Sequence, residues 1–349
     1  MDADDRLALV DDLARYGCRV HQPDEPRMMT RDPQSPMQPM HWRWVDLDRL
    51  LKRLGAEIVL EPGGERRTLR LANPGLPFGT TPTFWGSIQY ILPGEIASAH
   101  RHAPHAIRFI MQGNGATTTV DGERYPMRQG DLVLTPAGAW HDHQHEGDAP
   151  MIWLDGLDIS LVKAMHAMFF EPYPENRQLL SQGHDASLRR YGSGIMRPTR
   201  GLPVSRVSPL LVYPWERAEA ALRAFAGTEP DPYDDFVLEY QNPTTGGPAL
   251  PTLGMALQWL RPSVHGKAHR HTGSVLYYVV RGEGSSIVHG RRYDWSPGDF
   301  VAVPPWAWHE HSNRSDKYEA VLFQVNDLPA MTALDLYREE PYGETGGHQ

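Results

Sequence analysis

The feature that most narrows the fold of this chain is a repeat. Residues 98–115 read SAHRHAPHAIRFIMQGNG and residues 267–284 read KAHRHTGSVLYYVVRGEG. Placing His100 on His269 also pairs His102 with His271, Gly113 with Gly282 and Gly115 with Gly284. After a one-residue deletion GERY meets GRRY, and QGDLVLTPAGAWHDH meets PGDFVAVPPWAWHEH, which puts His141 on His309 and His143 on His311. Self-similarity of this kind marks a duplicated unit and is settled before single elements are assigned. Each copy is built of short β-branched and aromatic runs punctuated by Gly, Pro and Asp, the texture of an all-β sandwich or barrel.

The rest of the chain reads differently. Leu7, Leu9, Val10, Leu13 and Tyr16 recur at helical spacing near the start, and WVDLDRLLKRLGAEI sets Leu47, Leu50, Leu51 and Leu54 on one side with Gly55 as its stop. A proline-rich connector, RDPQSPMQPM, separates them. LVKAMHAMFF and WERAEAALRAFAG read as helices between the copies. The expected organisation is a helical arm over 1–79, a first barrel over 80–160, a helical and loop connector over 161–235, a second barrel over 236–328 and a tail over 329–349.

With 349 residues the chain is long enough for two domains, each with its own core. A net charge of −9 without clustered Lys and Arg argues against nucleic acid as a partner. No apolar run reaches about 18 residues, and the acidic start MDADDRLALVDD is unlike a secretory signal, so a cytoplasmic protein without a membrane partner is expected. The single cysteine, Cys18, excludes an intramolecular disulfide and a thiolate metal cluster. Any metal must therefore rest on imidazole and carboxylate. Of 17 histidines, twelve fall within residues 100–145 and 265–311.

Side chains alternate faces along a strand, so His100 and His102 share one face, as do His141 and His143. If the two strands are neighbours, three imidazoles converge on one ion, a donor set that suits Fe, Mn, Zn, Cu or Ni. An isolated HxH pair is ordinarily packing or surface polarity. Here it recurs with a glycine hairpin, a Gly-Asp turn, a proline and a third histidine in two copies.

These stretches resemble the cupins, whose two motifs surround metal ligands inside a small jelly-roll barrel: PGEIASAHRHAPHAIRFIMQG is similar to the first motif and GDLVLTPAGAWHDH to the second. The resemblance implies two double-stranded β-helix barrels. One departure is informative, because the glutamate ligand usual three or four residues after HxH is replaced by Ala106 and Ile107, and by Val275 and Leu276 in the second copy. Three neutral histidines remain, and a divalent ion they hold keeps its full charge for a ligand bringing a carboxylate and a phenolate. Fe(II) is expected over zinc, since a redox-active metal can pass electron density from a bound aromatic to dioxygen.

HRHAPHAIRFI, WHDH, IWLDGLDI, MFFEPYP and LANPGLP together resemble the gentisate 1,2-dioxygenase family of bicupins, which includes salicylate and 1-hydroxy-2-naphthoate dioxygenases, from about HWRWVDL to LYREE. The resemblance implies an iron(II) dioxygenase that takes a small aromatic acid and O2 and opens the ring between the carboxylated and hydroxylated carbons, assembled as a homotetramer. It assigns His100, His102 and His141 to the metal and Arg108 to the substrate carboxylate. His143 falls near the substrate hydroxyl, and Asp155 orients His143 or an arginine. Gln89, Trp85 and Ser87 line the pocket, with Arg66 and Arg70 approaching from an N-terminal segment. The plainer readings are a strand arginine for Arg108, an imidazole packed on Trp140 for His143, core positions for Trp85 and Gln89, and a turn aspartate before Gly156 for Asp155. Ser87 departs from the small apolar residue usual there and keeps open a monohydroxylated or 5-substituted salicylate, nitro or halo, or 1-hydroxy-2-naphthoate. His105 and His145 have no assigned role.

In the second copy Arg108 is replaced by Tyr277 and the place of Asp155 falls at or near Gln324, so His269, His271 and His309 are read as a structural or dormant site and Trp295, Trp306 and Trp308 as core and interface. A manganese oxalate decarboxylase shares the two-barrel plan but needs the missing glutamate. A non-catalytic metal-binding bicupin is the third reading, opposed by Arg108 and His143 beside an open metal.

Overall fold

The structure is a computed structural model that describes residues 3–20, 25, 27–58, 67–200 and 205–349. Arg66 lies outside the described residues. The chain divides into two compact units, Met1–Gln34, which holds helix α1 (Ala3–Arg15), and Ser35–Gln349. Leu7 and Leu9 on α1, and Tyr16 just after it, are exposed. Among the described residues no helix is long and apolar enough to cross a membrane.

The second unit contains the duplication, and the duplication is longer than the sequence match. Its first repeat runs β1 (Met40–Trp42), α2 (Trp44–Glu57), β2 (Thr68–Arg70), then the barrel strands β3 (Trp85–Ile91), β4 (Ile96–His102), β5 (Ala106–Gln112), β6 (Ala116–Val120), β7 (Glu123–Met127), β8 (Leu132–Thr135), β9 (His141–His145) and β10 (Met151–Leu157), and closes with α3 (Ile159–Ala164) and β11 (Phe170–Pro172). A short helix, α4 (Ala186–Tyr191), follows. The second repeat runs β12 (Val212–Tyr213), α5 (Trp215–Phe225), β13 (Phe236–Glu239), then β14 (Gly254–Leu260), β15 (His269–His271), β16 (Val275–Arg281), β17 (Gly284–Val288), β18 (Arg291–Trp295), β19 (Phe300–Val303), β20 (His309–Asn313) and β21 (Ala320–Asn326), and closes with α6 (Leu328–Ala333) and β22 (Glu339–Pro341).

Strand order repeats as well. The six-stranded sheets run β12-β8-β5-β10-β3-β2 and β1-β19-β16-β21-β14-β13, the five-stranded sheets β11-β4-β9-β6-β7 and β22-β15-β20-β17-β18. Each repeat therefore lends its first strand to the other barrel: β1 pairs with β19 and β12 with β8. The Gly-Asp turns receive these visitors. Asp131 Oδ1 accepts the backbone N–H of Trp215 at 2.9 Å, and Asp299 Oδ1 that of Trp44 at 2.7 Å. Gly130 and Gly298 hold positive φ, 85° and 92°, and a Cβ on either would lie 2.5 Å from the incoming tryptophan ring. Only glycine meets both demands.

Alternation along the strands divides two kinds of core. Ile107, Phe109, Ile88 and Leu154 face away from the first barrel onto Leu257, Leu276, Phe323 and Val325 of the second, with Leu51 and Leu222 from α2 and α5 in the same cluster. Phe109 and Phe323 stack with centroids 4.1 Å apart, worth about 0.5–1.5 kcal/mol beyond burial. Ile110, Val120, Tyr125, Val133 and Trp153 fill the first barrel's own interior, and Tyr277, Val288 and Trp295 that of the second.

Several expectations are corrected. Gly55 does not stop α2, which continues to Glu57; it sits within the helix because a Cβ there would lie 2.5 Å from the Tyr90 ring. Leu50 is exposed while Leu47 and Leu51 carry the buried stripe. The arm and the connector are not purely helical, since they supply β1, β2, β11 and β12 to barrel sheets. LVKAMHAMFF is helical only up to Ala164, and its last residue, Phe170, begins a strand paired with the histidines of β4.

Candidate active site

β4 and β9 are neighbours, and His100 and His141 are direct cross-strand partners. Ring centroids lie 4.2 Å apart for His100 and His141, 4.8 Å for His102 and His141, and 5.6 Å for His100 and His102. Each Nδ1 meets a backbone carbonyl: Ser98 at 2.7 Å, Pro104 at 2.9 Å and Ala139 at 3.1 Å. A neutral imidazole that donates through Nδ1 presents its lone pair on Nε2, so the backbone sets tautomer and ring direction together. One nitrogen from each ring falls within 4.8 Å of the others, and His141 Nε2 is buried without a hydrogen-bond partner. Burial, then the Arg108 charge and the neighbouring imidazoles, hold the His141 pKa well below its usual value. Three neutral nitrogen donors aimed at one point fit a divalent first-row metal ion. Ala106 and Ile107, where a glutamate ligand is usual, are both fully buried at the start of β5.

The facing six-stranded sheet carries a polar row. Arg108 on β5 is opposite Asp155 on β10, Asp155 is opposite Ser87 on β3, and Ser87 is opposite Arg70 on β2. Cross-strand partners share a face, so the four residues reach the sheet by one register line. Arg108 is 2% exposed, with Nε 3.3 Å from Asp155 Oδ1 and Nη1 donating to Thr135 Oγ1. Burial lowers its pKa and Asp155 opposes the shift; a guanidinium stays charged. Asp155 Oδ1 also accepts Trp153 Nε1–H at 3.1 Å. It is a strand residue, not a turn residue, and its carboxylate lies against Arg108.

Trp85, Ser87 and Gln89 alternate along β3 and share its face, with Ser87 and Gln89 buried. Arg70 lies over the Trp85 ring at 4.6 Å, and Phe78 packs on it at 4.4 Å. His143 is fully buried, 6.0 Å from the His141 ring and 5.5 Å from Trp153. Trp153, not Trp140, is its aromatic neighbour; Trp140 packs on Tyr173 and under Arg101. Phe170 of β11 stacks on His100 at 5.1 Å.

A cupin domain matches residues 87–157 and again 257–326. The 5-aminosalicylate 1,2-dioxygenase of Comamonas sp. is 39% identical, over 98% of this chain and 92% of that protein. The chain belongs to the gentisate and salicylate 1,2-dioxygenase family. Gentisate 1,2-dioxygenase 1 of Aquipseudomonas alcaligenes is 37% identical over 89% of each chain. The salicylate 1,2-dioxygenase of Pseudoaminobacter salicylatoxidans with gentisate superposes with a TM-score of 0.90 at 32% identity, covering 99% of this chain and 96% of that one. As a member of this family the protein is a ring-cleaving dioxygenase, and its first histidine trio is arranged to hold a metal ion.

Two supports of the Arg108 row escaped the sequence reading, Thr135 and Trp153. The signal for both is register, because the β5–β8 and β5–β10 pairings are needed to see them beside Arg108. His105 and His145 receive structural roles. His105 Nδ1 accepts the Ala137 N–H at 3.0 Å, joining the loop after β4 to the loop before β9, and burial lowers its pKa to about 4. His145 Nε2 donates to the Ala149 carbonyl at 2.7 Å in the β9–β10 turn.

In the second barrel His269 and His309 are again direct partners, and Tyr277 and Gln324 occupy the register positions of Arg108 and Asp155. Trp295 and Trp306 are buried, and Trp306 and Trp308 both pack against Arg270.

Proposed function

We propose that the first barrel binds ferrous iron through Nε2 of His100, His102 and His141 and opens the ring of gentisate or another 5-substituted salicylate between its carboxyl-bearing and hydroxyl-bearing carbons. The observation that carries this reading is a fully buried guanidinium facing three convergent imidazoles, two of them buried, across one barrel. Iron supplies open coordination positions and the redox couple that lets ring electron density reach dioxygen. The protein groups do the rest.

Arg108 commits Nη1 to Thr135 and sets Nε against Asp155, which leaves Nη2 to hold the substrate carboxylate by a charge-assisted hydrogen bond. Asp155 and Trp153 keep that fork from turning. His143, buried beside the trio, is placed to take the proton of the substrate's ring hydroxyl or to return it. Trp85 and Gln89 wall the ring, and Arg70 backs Trp85. Hydrophobic residues around this polar centre exclude water and strengthen each of these interactions.

A second substrate reading concerns the 5-position. Ser87 brings a hydroxyl into the Arg108–Asp155 row, which supports a ring substituent that can hydrogen-bond, an amino or hydroxyl group before a nitro or halogen. The relative that acts on 5-aminosalicylate supports the same direction. The homotetramer implied by the family resemblance is carried as part of this proposal, and light scattering reads it directly.

The test is oxygen uptake by iron-reconstituted protein with gentisate, salicylate, 5-amino-, 5-nitro- and 5-chlorosalicylate, and 1-hydroxy-2-naphthoate. Uptake with a polar 5-substituted ring, matched to ring-opened product, is expected. No uptake with any member of the panel, at full iron occupancy, contradicts the proposal.

A further inference from the structure

We propose that the second barrel is a separate divalent-cation centre whose donors are His269, His271, His309 and the carboxylate of Asp234, and that this centre excludes aromatic acids. His269 Nε2 stands 2.9 Å from His309 Nε2 and 3.8 Å from Asp234 Oδ2. With metal–ligand bonds of about 2.0–2.2 Å, neighbouring donors around one ion stand roughly 2.8–3.8 Å apart for angles between about 90° and 120°, so these separations are those of a ligand set. His271 Nδ1 meets the Gly273 carbonyl at 3.0 Å and His309 Nδ1 the Ala307 carbonyl at 2.9 Å, which directs both Nε2 lone pairs inward. His269 Nδ1 is buried without a hydrogen-bond partner and faces Glu339 Oε1 at 4.0 Å, the side on which a metal-bound imidazole carries its proton.

Asp234 is held for this task. Fully buried Gln258 donates from Nε2 to Asp234 Oδ1 at 3.2 Å and to its backbone carbonyl at 3.0 Å, which leaves Oδ2 for the cation. The first barrel has no carboxylate in its trio, so the two centres differ in charge by one unit before any ligand arrives.

Their mouths differ more. The second trio opens on a cavity of about 540 Å³ lined by Glu229, Asp231, Asp234 and Glu339, with no Lys or Arg among its described lining residues; Asp235, also in the lining, is paired with Arg261. Tyr277, fully buried with its pKa raised by burial, is a neutral phenol where the first barrel has Arg108. Such a field concentrates cations and repels carboxylates. A bound ion would tie the Asp231–Asp235 loop and β22 to the barrel wall, which makes the centre a staple for the C-terminal half.

The experiment loads full-length protein with Co2+ or Zn2+ and counts bound metal. About two ions per chain are expected in the native protein and about one in both His141→Ala and His309→Ala. Added salicylate should shift the visible Co2+ spectrum of His309→Ala and leave that of His141→Ala unmoved. Asp234→Asn, at the mouth and outside the barrel interior, should weaken the second ion alone by roughly tenfold or more. One ion in the native protein, complete metal loss in His141→Ala, an unchanged second affinity in Asp234→Asn, or a salicylate response in His141→Ala would each overturn the proposal.

Discussion

Arg108 and Asp155 are direct partners on adjacent strands, Nε 3.3 Å from Oδ1, and both are buried inside the first barrel. An ion pair in such a place is costly unless its remaining hydrogen-bonding groups are used. Here Thr135 and Trp153 take part of that capacity, and the unfilled donor edge is the one proposed to hold the substrate carboxylate.

Replacing Arg108 therefore separates binding from metal content. Arg108→Ala should raise KM roughly 10–100-fold, the range of a lost charged hydrogen bond, with iron stoichiometry unchanged. Arg108→Lys keeps the charge but not the fork and should recover only part of the loss. Steady-state kinetics with parallel metal analysis checks this.

Stability should follow the pair, not either residue. Arg108→Ala leaves a buried carboxylate uncompensated at a cost of about 3–5 kcal/mol, and adding Asp155→Leu should return much of it. A double-mutant cycle by denaturant unfolding should give a coupling of about 0.5–3 kcal/mol; strict additivity would mean that the two groups do not interact.

The barrels are also joined by a symmetric pair of hydrogen bonds, Thr252 to Asp158 and Thr83 to Asp327. Burial raises the Asp158 pKa from 3.8 to about 6 against the opposing effect of Thr252. The folded state thus binds this proton more tightly than the unfolded state. Its contribution is fully present below pH about 4 and is lost as pH rises through about 6, by roughly 3 kcal/mol. The stability difference between native protein and Asp158→Asn, measured across that window, should show this fall.

Much of this was legible in the sequence, for physical reasons. HxH spacing on alternating strands places two imidazoles on one face wherever the strand lies, so the metal trio needed only β4 and β9 to be neighbours. Ser87 and Gln89 came from the family resemblance, and alternation along β3 places them on one face. What stayed hidden depends on long-range register. Thr135 and Trp153 look ordinary until the strands are laid side by side, and Trp140 was the aromatic neighbour suggested for His143 only because it is close in sequence. Gly55 misled because a helix-stop residue was needed for close packing with Tyr90. The exchange of β1 and β12 between barrels lay outside the aligned motifs, although the tryptophan that opens each following helix carries its trace.

That exchange gives its own prediction. Gly130→Ala and Gly298→Ala each force a side chain into a positive-φ turn and into a tryptophan ring, and each should cost about 1–3 kcal/mol. Thermal unfolding of the two variants should show comparable losses; a neutral result at either would break the symmetry argued here.

The proposed ring cleavage requires iron on the first trio, within reach of Arg108. Iron content and oxygen uptake of His141→Ala, measured beside His309→Ala, test it most directly. His141→Ala should lose the first-barrel iron and all ring opening while His309→Ala still opens rings. A His141→Ala protein that keeps both would contradict it.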